Sequence, residues 1–317
     1  MRWLAAVVAL ALPLASLAQA YPSKPIRWIL GYPPGGGTEF IARSVANPLS
    51  AQLGQPIVIE NRPGAAAILG AKAAADSAPD GYTLFMADNG TFVFHTGIYK
   101  KLPYDPNRDF IPVGMIVRGY MLLLTGPNGP KTLAELVAAA KAQPGKLNNA
   151  SNGSGTAHHL AAELLKQRAG IDVLNVPFKG TAAVMQEIMS ERVAMGFADI
   201  SAARGALAGG KVRPLAVASK KRLASLPDVP TFEESGFADF EVHFWQGMAV
   251  PAGTPRDIVT RLSSELQKAL NTPEVRKRLT DVGMEVLPGT SEQMTHMMRA
   301  DQAFWVPLIK QLGITVD

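Results

Sequence analysis

The sequence predicts an α/β protein built from two lobes. Short apolar runs typical of strands alternate with helical patterns over most of the chain, and this order favours mainly parallel sheets joined by right-handed helical crossovers. The 317 residues are 47% hydrophobic and 18% charged, which is typical of a globular protein. Because domains of about 100–150 residues are the commonest, this length predicts two of them.

The first twenty residues are predicted to be a secretory signal peptide and not part of the fold. Arg2 gives a short positive region, residues 3–12 are apolar, and residues 18–20 (AQA) have the small-x-small pattern of a cleavage site. A retained N-terminal anchor is the alternative, but the apolar run is shorter than the roughly 20 residues that an ordinary spanning helix needs. We expect cleavage after Ala20 and a soluble, exported protein.

In the first half of the mature chain, extended runs alternate with helical patterns. The predicted strands are IRWILGY (26–32), PIVIEN (56–61), TLFMAD (83–88) and FIPVGMIVRGYMLLLTG (110–126). Helical patterns begin at Thr38, cover 65–75 and 96–99, and resume after Thr132. Thr132 and Glu135 have the spacing of a capping box, which satisfies backbone N–H groups at a helix start.

The second half continues the alternation and then becomes helical. The predicted strands are 146–151, 172–178, 192–199, 212–219 and 241–255, and helices begin at Thr156, Thr181, Thr272 and Thr290. Thr231 and Glu234 form a second capping-box pattern. No low-complexity linker divides the chain, so we expect strands to cross directly between the lobes near 110–126 and 240–250.

Two glycine-rich loops, PPGGGTEF (33–40) and SNGSGTAH (151–158), follow strands and lead into helices. Ligands of open α/β sheets bind beyond the carboxyl ends of the strands, where both loops lie. In the first loop, residues 35–37 permit close backbone approach and Thr38 is expected to cap the helix. The free N–H groups at the helix start favour a carboxylate or phosphate oxygen. A tight turn without a ligand is the alternative.

The second loop adds short polar side chains and two histidines. Its donors and acceptors are Ser151, Asn152, Ser154 and Thr156. His158 borders the apolar face of the following helix, so it either lines a ligand site or packs in the core. His159 lies on the opposite face and is expected at the surface.

Missing residues argue against several other function classes. The first loop lacks the Gly-Lys-Ser/Thr of a P-loop, and Phe40 stands where a dinucleotide fingerprint needs glycine. The run around Ser151 lacks the leading glycine of a nucleophile elbow. The five histidines show no metal-ligand spacing, there is no cysteine, and the net charge of +5 forms no aromatic-interleaved stripe for nucleic acid. We therefore expect ligand capture without catalysis, metal or cofactor.

Seven motifs follow one another in a family-specific order. They are YPSKPIRWILGYPPGGGTEFIAR (21–43), GQPIVIENRPGA (54–65), APDGYTL (78–84), SNGSGTAHHLAAELL (151–165), NVPFKG (175–180), VRPLAVASKKRLASLPDVPTFEESG (212–236) and WQGMAVPAGTP (245–255). By these motifs the chain, from about Tyr21 to its C-terminus, resembles the periplasmic receptors of tripartite tricarboxylate transporters, the Bug-type receptors.

The resemblance implies a type II periplasmic-binding-protein fold, or Venus flytrap. In this fold each lobe is a mainly parallel sheet flanked by helices, and crossing strands join the two lobes, which close over a ligand. We place lobe 1 at residues 21–121 and 243–317 and lobe 2 at residues 122–242.

The resemblance also implies that backbone groups and bridging waters of the two loops hold a ligand carboxylate. Carried onto this sequence, the ligand-binding residues of lobe 1 are Tyr32, Gly36, Gly37, Thr38 and Asn89. Those of lobe 2 are Ser151, Asn152, Gly155, Thr156, His158, Phe178, Lys179, Asp199 and Ser201.

Some residues depart from the family pattern or have two interpretations. Glu39 stands where the family usually has Asp, so it either contacts the ligand or favours the helix dipole from the first turn. Pro48 is expected to kink or end the first helix. Trp245 and Phe178 either wall a ring-bearing ligand or pack in the core.

The resulting functional prediction is a periplasmic receptor for a small carboxylate: a di- or tricarboxylate, an acidic amino acid or an aromatic acid. It would deliver this ligand to the membrane permease subunits of a tripartite tricarboxylate transporter. We expect a monomer with no nucleic-acid partner. A receptor that signals to a membrane partner and a secreted hydrolase are the alternatives.

Overall fold

The computed structural model describes residues 21–153 and 155–315, so the predicted signal peptide and Ser154 lie outside the described residues. The strands are β1 Ile26–Leu30, β2 Ile57–Asn61, β3 Thr83–Asp88, β4 Phe110–Thr125, β5 Asn148–Ser151, β6 Leu174–Pro177, β7 Met195–Asp199, β8 Arg213–Val217, β9 His243–Pro251 and β10 Glu285–Val286. The helices are α1 Gly37–Leu53, α2 Ile68–Ala75, α3 His95–Ile98, α4 Leu133–Ala142, α5 Ala157–Ala169, α6 Thr181–Met189, α7 Ile200–Ala208, α8 Arg256–Leu270, α9 Pro273–Thr280 and α10 Ser291–Gln311, and a π-helical turn, Gly90–Phe94, precedes α3.

The strands form one mixed sheet with a parallel unit at each end. Its order is β2-β1-β3-β9-β4-β7-β5-β6, and β8 and β10 each pair with β4. Strands β2, β1 and β3 are parallel and form the first unit; β7, β5 and β6 are parallel and form the second unit. Between them, β9 and β4 run antiparallel to each other and to their neighbours.

Strand β4 changes partners partway along its length. Phe110–Tyr120 lies opposite β9, whereas Met121–Leu124 lies opposite β7 of the second unit. The two regions expected to cross between lobes are therefore the paired strands β4 and β9. Because one continuous strand belongs to both halves, the carboxyl ends of the first and second units face a common region.

Burial on both faces explains why the strands are apolar runs and not alternating ones. All six residues of β3 are buried, as expected for strands covered by helices on both sides. On one face, Ile41, Val45 and Leu49 of α1 pack in the same apolar cluster as Leu262 and Leu266 of α8. The spacing of four residues places these α1 side chains on one side of the helix.

One expectation for α1 is wrong, and another is narrowed: of the kink or end expected at Pro48, the end does not occur. Gly36, with no side-chain cap, is the N-cap residue in place of Thr38. Pro48 does not end the helix, which continues to Leu53. Val45 and Leu49 on either side of Pro48 are fully buried, and we attribute the continuity of α1 to this packing, which offsets the hydrogen bond that proline cannot donate.

The capping box predicted at Thr231 and Glu234 is confirmed, whereas the helix predicted at 65–75 starts later. The Thr231 N–H donates to Glu234 Oε2 at 2.7 Å and the Glu234 N–H donates to Thr231 Oγ1 at 3.0 Å. These capping-box bonds close only a turn, which ends at Gly236 with φ +93°. The helix predicted at 65–75 begins only at Ile68, because the alanines 65–67 have φ between 46° and 74° and are not helical.

His95 is a buried neutral histidine at the start of α3. Its side chain is 4% exposed, and its Nδ1 lies 3.2 Å from the hydroxyl of Tyr104. That hydroxyl donates to the Thr91 carbonyl at 2.8 Å, so its oxygen must accept from His95 Nδ1–H. Burial lowers the pKa of His95 to about 4.

We predict that His95 makes the protein less stable in mild acid. Between about pH 6.5 and pH 4 the unfolded chain binds more protons than the folded chain, so stability falls as pH falls through this window. Chemical denaturation at pH 7 and pH 4.5 should show about 2 kcal/mol less loss of stability in His95→Gln than in the wild type. His296→Gln, at an exposed histidine, is the control and should match the wild type. Equal losses in His95→Gln and the wild type would contradict the assignment.

Candidate functional site

The two glycine-rich loops are closed by the same hydrogen-bond arrangement. The Gly35 N–H donates to Glu39 Oε2 at 2.5 Å, and the Gly155 N–H donates to His159 Nδ1 at 3.0 Å. In both loops the acceptor lies four residues after the glycine, in the first turn of the helix. A side chain thus reaches back and fixes each loop onto its own helix.

Each of these acceptors also lies near a charged residue four positions further along its helix. Arg43 Nε donates to Glu39 Oε1 at 2.8 Å, and Glu163 Oε1 lies 3.6 Å from His159 Nε2. The Gly35 N–H bond, followed by Arg43, lowers the pKa of Glu39. Glu39 is therefore used inside the first loop, which agrees with the first-turn interpretation and not with ligand contact.

The expectation that His159 lies at the surface is wrong. The residue is only 9% exposed, although helical periodicity puts it opposite the apolar face. The loop folds back over the first turn of α5 and covers the ring, through the bond from Gly155. Periodicity describes only the helix and does not report where the preceding loop lies.

The start of α1 opens onto free space. A Cβ at Gly37 would meet no atom within 4 Å, and one at Gly36 would meet only the Pro33 carbonyl oxygen, at 3.8 Å. The first N–H groups of a helix have no acceptor within the helix. Gly36 and Gly37 are therefore exposed, with open space beside their backbone.

Tyr32 faces a buried carboxylate at the end of β3. Its hydroxyl bonds to Asp88, which also accepts the Thr91 N–H at 2.7 Å and the Thr91 hydroxyl at 2.9 Å. Burial raises the pKa of Asp88 against the opposing effect of these bonds, and it raises the pKa of Tyr32 well above its usual value. The Tyr32 hydroxyl proton is therefore used in the hydrogen bond to Asp88 and is not available to a ligand.

Asn89 and Thr38 are tied to strand β9. The Asn89 amide donates to the His243 carbonyl at 2.8 Å, and Gln246 Nε2 donates to Thr38 Oγ1 at 2.6 Å. Gln246 is 7% exposed, and it is a site residue that the sequence reasoning missed. A polar residue inside the buried run WQGMAVP was the available signal.

In the second unit, the polar residues predicted for the site gather at the carboxyl ends of β5 and β6. The Ser151 carbonyl accepts a hydrogen bond from the Phe178 N–H at 2.8 Å, and the Ser151 hydroxyl is fully buried. Asn152 Nδ2 donates to Thr181 Oγ1 at 3.3 Å. Phe178 is half-buried against the apolar cluster of this unit, whereas Lys179 is exposed.

His158 faces the end of β7. Its Nε2 is buried and lies 4.0 Å from Asp199 Oδ2. Burial lowers the pKa of His158 more than Asp199 raises it, so the ring is neutral at pH 7. Asp199 caps α7 through the Ala202 N–H at 3.0 Å and also accepts the Ser201 hydroxyl. His158 is thus both packed and placed beside the second loop.

Thr156 and Trp245 have structural roles. Thr156 is the N-cap of α5, accepting a hydrogen bond from the His159 N–H, and its own hydroxyl donates to the Gly153 carbonyl at 2.9 Å.

Trp245 is fully buried and donates its Nε1–H to Asp301 Oδ2 at 2.7 Å. Of the two interpretations of Trp245, the core-packing one is correct.

The two halves touch on both sides of β4. A Cβ at Gly155 would lie 2.5 Å from Ile98 Cδ1, so the second loop is packed against α3, and the φ of +72° favours glycine at this position. On the other side, Arg204 of α7 donates to the Asp281 carbonyl. The two parallel units therefore contact each other at these two places.

Buried polar atoms without partners concentrate around the loops. Among the described residues they include Ser151 Oγ, Asn152 Oδ1, His158 Nε2 and Gln246 Oε1. The others belong to Trp28, Asn149 and His243. Because buried polar atoms are almost always paired in folded proteins, the loop cluster has the chemistry of a site for a polar ligand.

Other features of the described residues do not indicate a different site. A cavity of about 870 Å³ is a groove beside α8 that no predicted site residue lines. Residues 21–153 and 155–315 contain no cluster of three potential metal ligands. Over the same ranges, no helix combines the length and apolar character needed to span a bilayer.

Comparison with known proteins identifies one family. The model of the tripartite tricarboxylate transporter family receptor matches residues 41–314. A protein of a Pseudomonas species, encoded between tcbD and tcbE, is 34% identical over 305 residues, which cover 96% of this chain and 90% of that protein.

Solved structures share the architecture. Rpa4515 of Rhodopseudomonas palustris, solved with adipate, has a TM-score of 0.86 at 31% identity, covering 93% of this chain and all of its own. MatC from the same species, solved with bound malate, has a TM-score of 0.83 at 32% identity, covering 91% of this chain and all of its own. Similarity to solved periplasmic binding proteins confirms the predicted two-lobed fold. The chain therefore belongs to the tripartite tricarboxylate transporter receptor family.

Proposed function

We propose that this chain is a periplasmic receptor that binds a small carboxylate between its two lobes and delivers it to the permease subunits of a tripartite tricarboxylate transporter. The observation that carries the proposal is the exposed glycine backbone at the start of α1. Buried, unpartnered polar atoms beside both loops support it, because they can hold the waters that bridge to a carboxylate. The loops follow strands of different units, so a ligand at this place would contact both lobes. The adipate of Rpa4515 and the malate of MatC indicate the ligand class.

Neutral dipoles are expected to hold the carboxylate. The start of α1 and the second loop present backbone N–H groups and hydroxyls, which stabilise anions at helix starts. Glu39, Asp88 and Asp199 lie nearby, but each accepts hydrogen bonds from its own segment. These bonds compensate the charges that would otherwise repel an anion. Lys179 is exposed and free to balance a second ligand charge.

Lobe closure is the proposed mechanism. We assign residues 21–121 and 243–317 to lobe 1 and 122–242 to lobe 2, with the hinge where β4 changes partners, between Tyr120 and Met121. A ligand that contacts both lobes favours the closed arrangement, because only that arrangement makes both sets of contacts. The permease would recognise the closed form.

Export and partner choice are parts of the same proposal. Removal of the signal peptide after Ala20 would leave 297 residues (317 − 20) in the periplasm. Loss of carboxylate uptake on deletion of the gene would support delivery to a permease. Normal uptake with a lost transcriptional response to the acid would instead identify a sensory receptor.

The first prediction concerns ligand class. In a thermal-shift screen of mono-, di- and tricarboxylates, amino acids and aromatic acids, at least one small carboxylate should raise the melting temperature. At a hundredfold excess over Kd, the stabilisation should be about 2.7 kcal/mol. A sugar or a cation that shifts the melting temperature, with no response to any carboxylate, would reject this ligand class.

The second prediction concerns the first loop. Gly36→Val should abolish carboxylate binding with little change in melting temperature, because Gly36 has φ −88° and open space beside it. The valine side chain would occupy that space in front of the loop. Gly205→Val, at an exposed glycine of α7 with no atom within 4 Å of a built Cβ, is the matched control. Unchanged affinity in Gly36→Val would remove the first loop from the site.

The third prediction concerns closure. The chain has no cysteine, so two introduced ones can carry spin labels. Val58→Cys on β2 and Leu174→Cys on β6 are exposed at opposite ends of the sheet. Their distance distribution, measured by pulsed electron resonance, should narrow and shift when the acid is added. A pair within lobe 1, Val58→Cys and Phe304→Cys, should not respond. Identical responses of the two pairs would contradict the lobe assignment.

A further inference from the structure

Gln246 occupies a fixed position at the centre of the sheet. It lies on β9 opposite Asp88 of β3 on one side and Val117 of β4 on the other. Backbone pairing on both sides holds the strand at this point. The side chain is 93% buried, and it reaches the start of α1, where Nε2 lies 2.6 Å from Thr38 Oγ1.

The direction of this bond determines where the Thr38 proton points. A threonine hydroxyl has one proton and two acceptor lone pairs. Because Gln246 Nε2 donates to Thr38 Oγ1, the hydroxyl oxygen is the acceptor in this bond and its proton must point elsewhere. Thr38 is half-buried in the second position of α1, beside Gly36 and Gly37, whose backbone opens onto free space.

A second observation indicates that a hydrogen-bond donor from outside the fold lies next to this pair. Gln246 Oε1 is buried and has no partner among the described residues. A buried amide oxygen is normally paired. Because this oxygen accepts and a carboxylate has no proton to donate, its partner is expected from a water or from a hydroxyl or amino group that the ligand carries.

We propose that Gln246 is a positioning residue for the ligand carboxylate, acting through Thr38. By donating to Thr38 Oγ1 it directs the threonine hydroxyl to donate to a carboxylate oxygen at the start of α1. The inference rests on the proposed function, since it specifies how the first loop recognises its anion. It adds one directed O–H donor to the backbone N–H groups.

The test is a double-mutant cycle on affinity. Thr38→Val removes the hydroxyl at constant size, and Gln246→Met removes the donor at similar length. Calorimetric titration with malate and with adipate is performed on the wild type, both single variants and the double variant. Gln302→Met is the matched control, because Gln302 Nε2 also makes one hydrogen bond, to the Phe92 carbonyl at 2.7 Å, outside the loops.

We expect Thr38→Val to weaken binding at least about tenfold, since hydrogen bonds to charged groups are worth more than neutral ones. Gln246→Met should weaken binding about fivefold or more, and the double variant should bind no more than about twofold more weakly than Thr38→Val. Thr38→Ser, which keeps the hydroxyl, should stay near the wild type. If the effects of the two single variants multiply in the double variant, or if Gln302→Met weakens binding as much as Gln246→Met, the proposal is overturned.

A ligand-free measurement separates this proposal from the proposed function. In a ¹H–¹⁵N spectrum, the side-chain amide signal of Gln246 is assigned by its loss in Gln246→Met. It should shift in Thr38→Val and return towards its original position in Thr38→Ser. An unchanged signal in Thr38→Val would reject the pair. Failure of the wild type to bind any carboxylate would contradict the proposed function. In that case the spectrum alone would test whether Gln246 and Thr38 are hydrogen-bonded.

Discussion

The N–H groups at the starts of α1 and α5 need acceptors, and the rest of the site depends on how this need is met. In each loop one glycine N–H donates to a side chain four residues later in the sequence: Gly35 to Glu39, and Gly155 to His159. These bonds hold the loops against their helices. The remaining backbone of the first loop faces open space, so a ligand anion can supply the acceptor that the fold does not provide.

The sheet determines where these two helix starts meet. Strand β4 pairs with β9 over its first part and with β7 over its last part, so the carboxyl ends of both parallel units face one region. In the closure that we propose, relative motion of the lobes is expected at the residues where β4 changes its pairing from β9 to β7. A site at this junction gains affinity from closure, because contacts to both halves form together.

Much of the polarity near the site supports the protein itself. Tyr32 donates to Asp88, Tyr104 donates to the Thr91 carbonyl, and Gln246 donates to Thr38. In the last two pairs the hydroxyl oxygen accepts one hydrogen bond, from His95 for Tyr104 and from Gln246 for Thr38. The first two protons are used within the fold. The Thr38 proton is left for a ligand, which is why a strand residue outside both loops matters for recognition.

The sequence by itself determined the alternation of strands and helices, the two loops at strand ends and the family motifs, because these features arise from local periodicity and backbone chemistry. It also identified Gly36 and Gly37 as open backbone. Only the tertiary structure decided that the second loop covers His159 and that α1 continues past Pro48. It also decided that the capping box of Thr231 and Glu234 closes a turn without a helix. It alone brought Gln246 to Thr38, 208 residues apart. Burial and long-range hydrogen bonds depend on which segments pack together, and no local pattern specifies that packing.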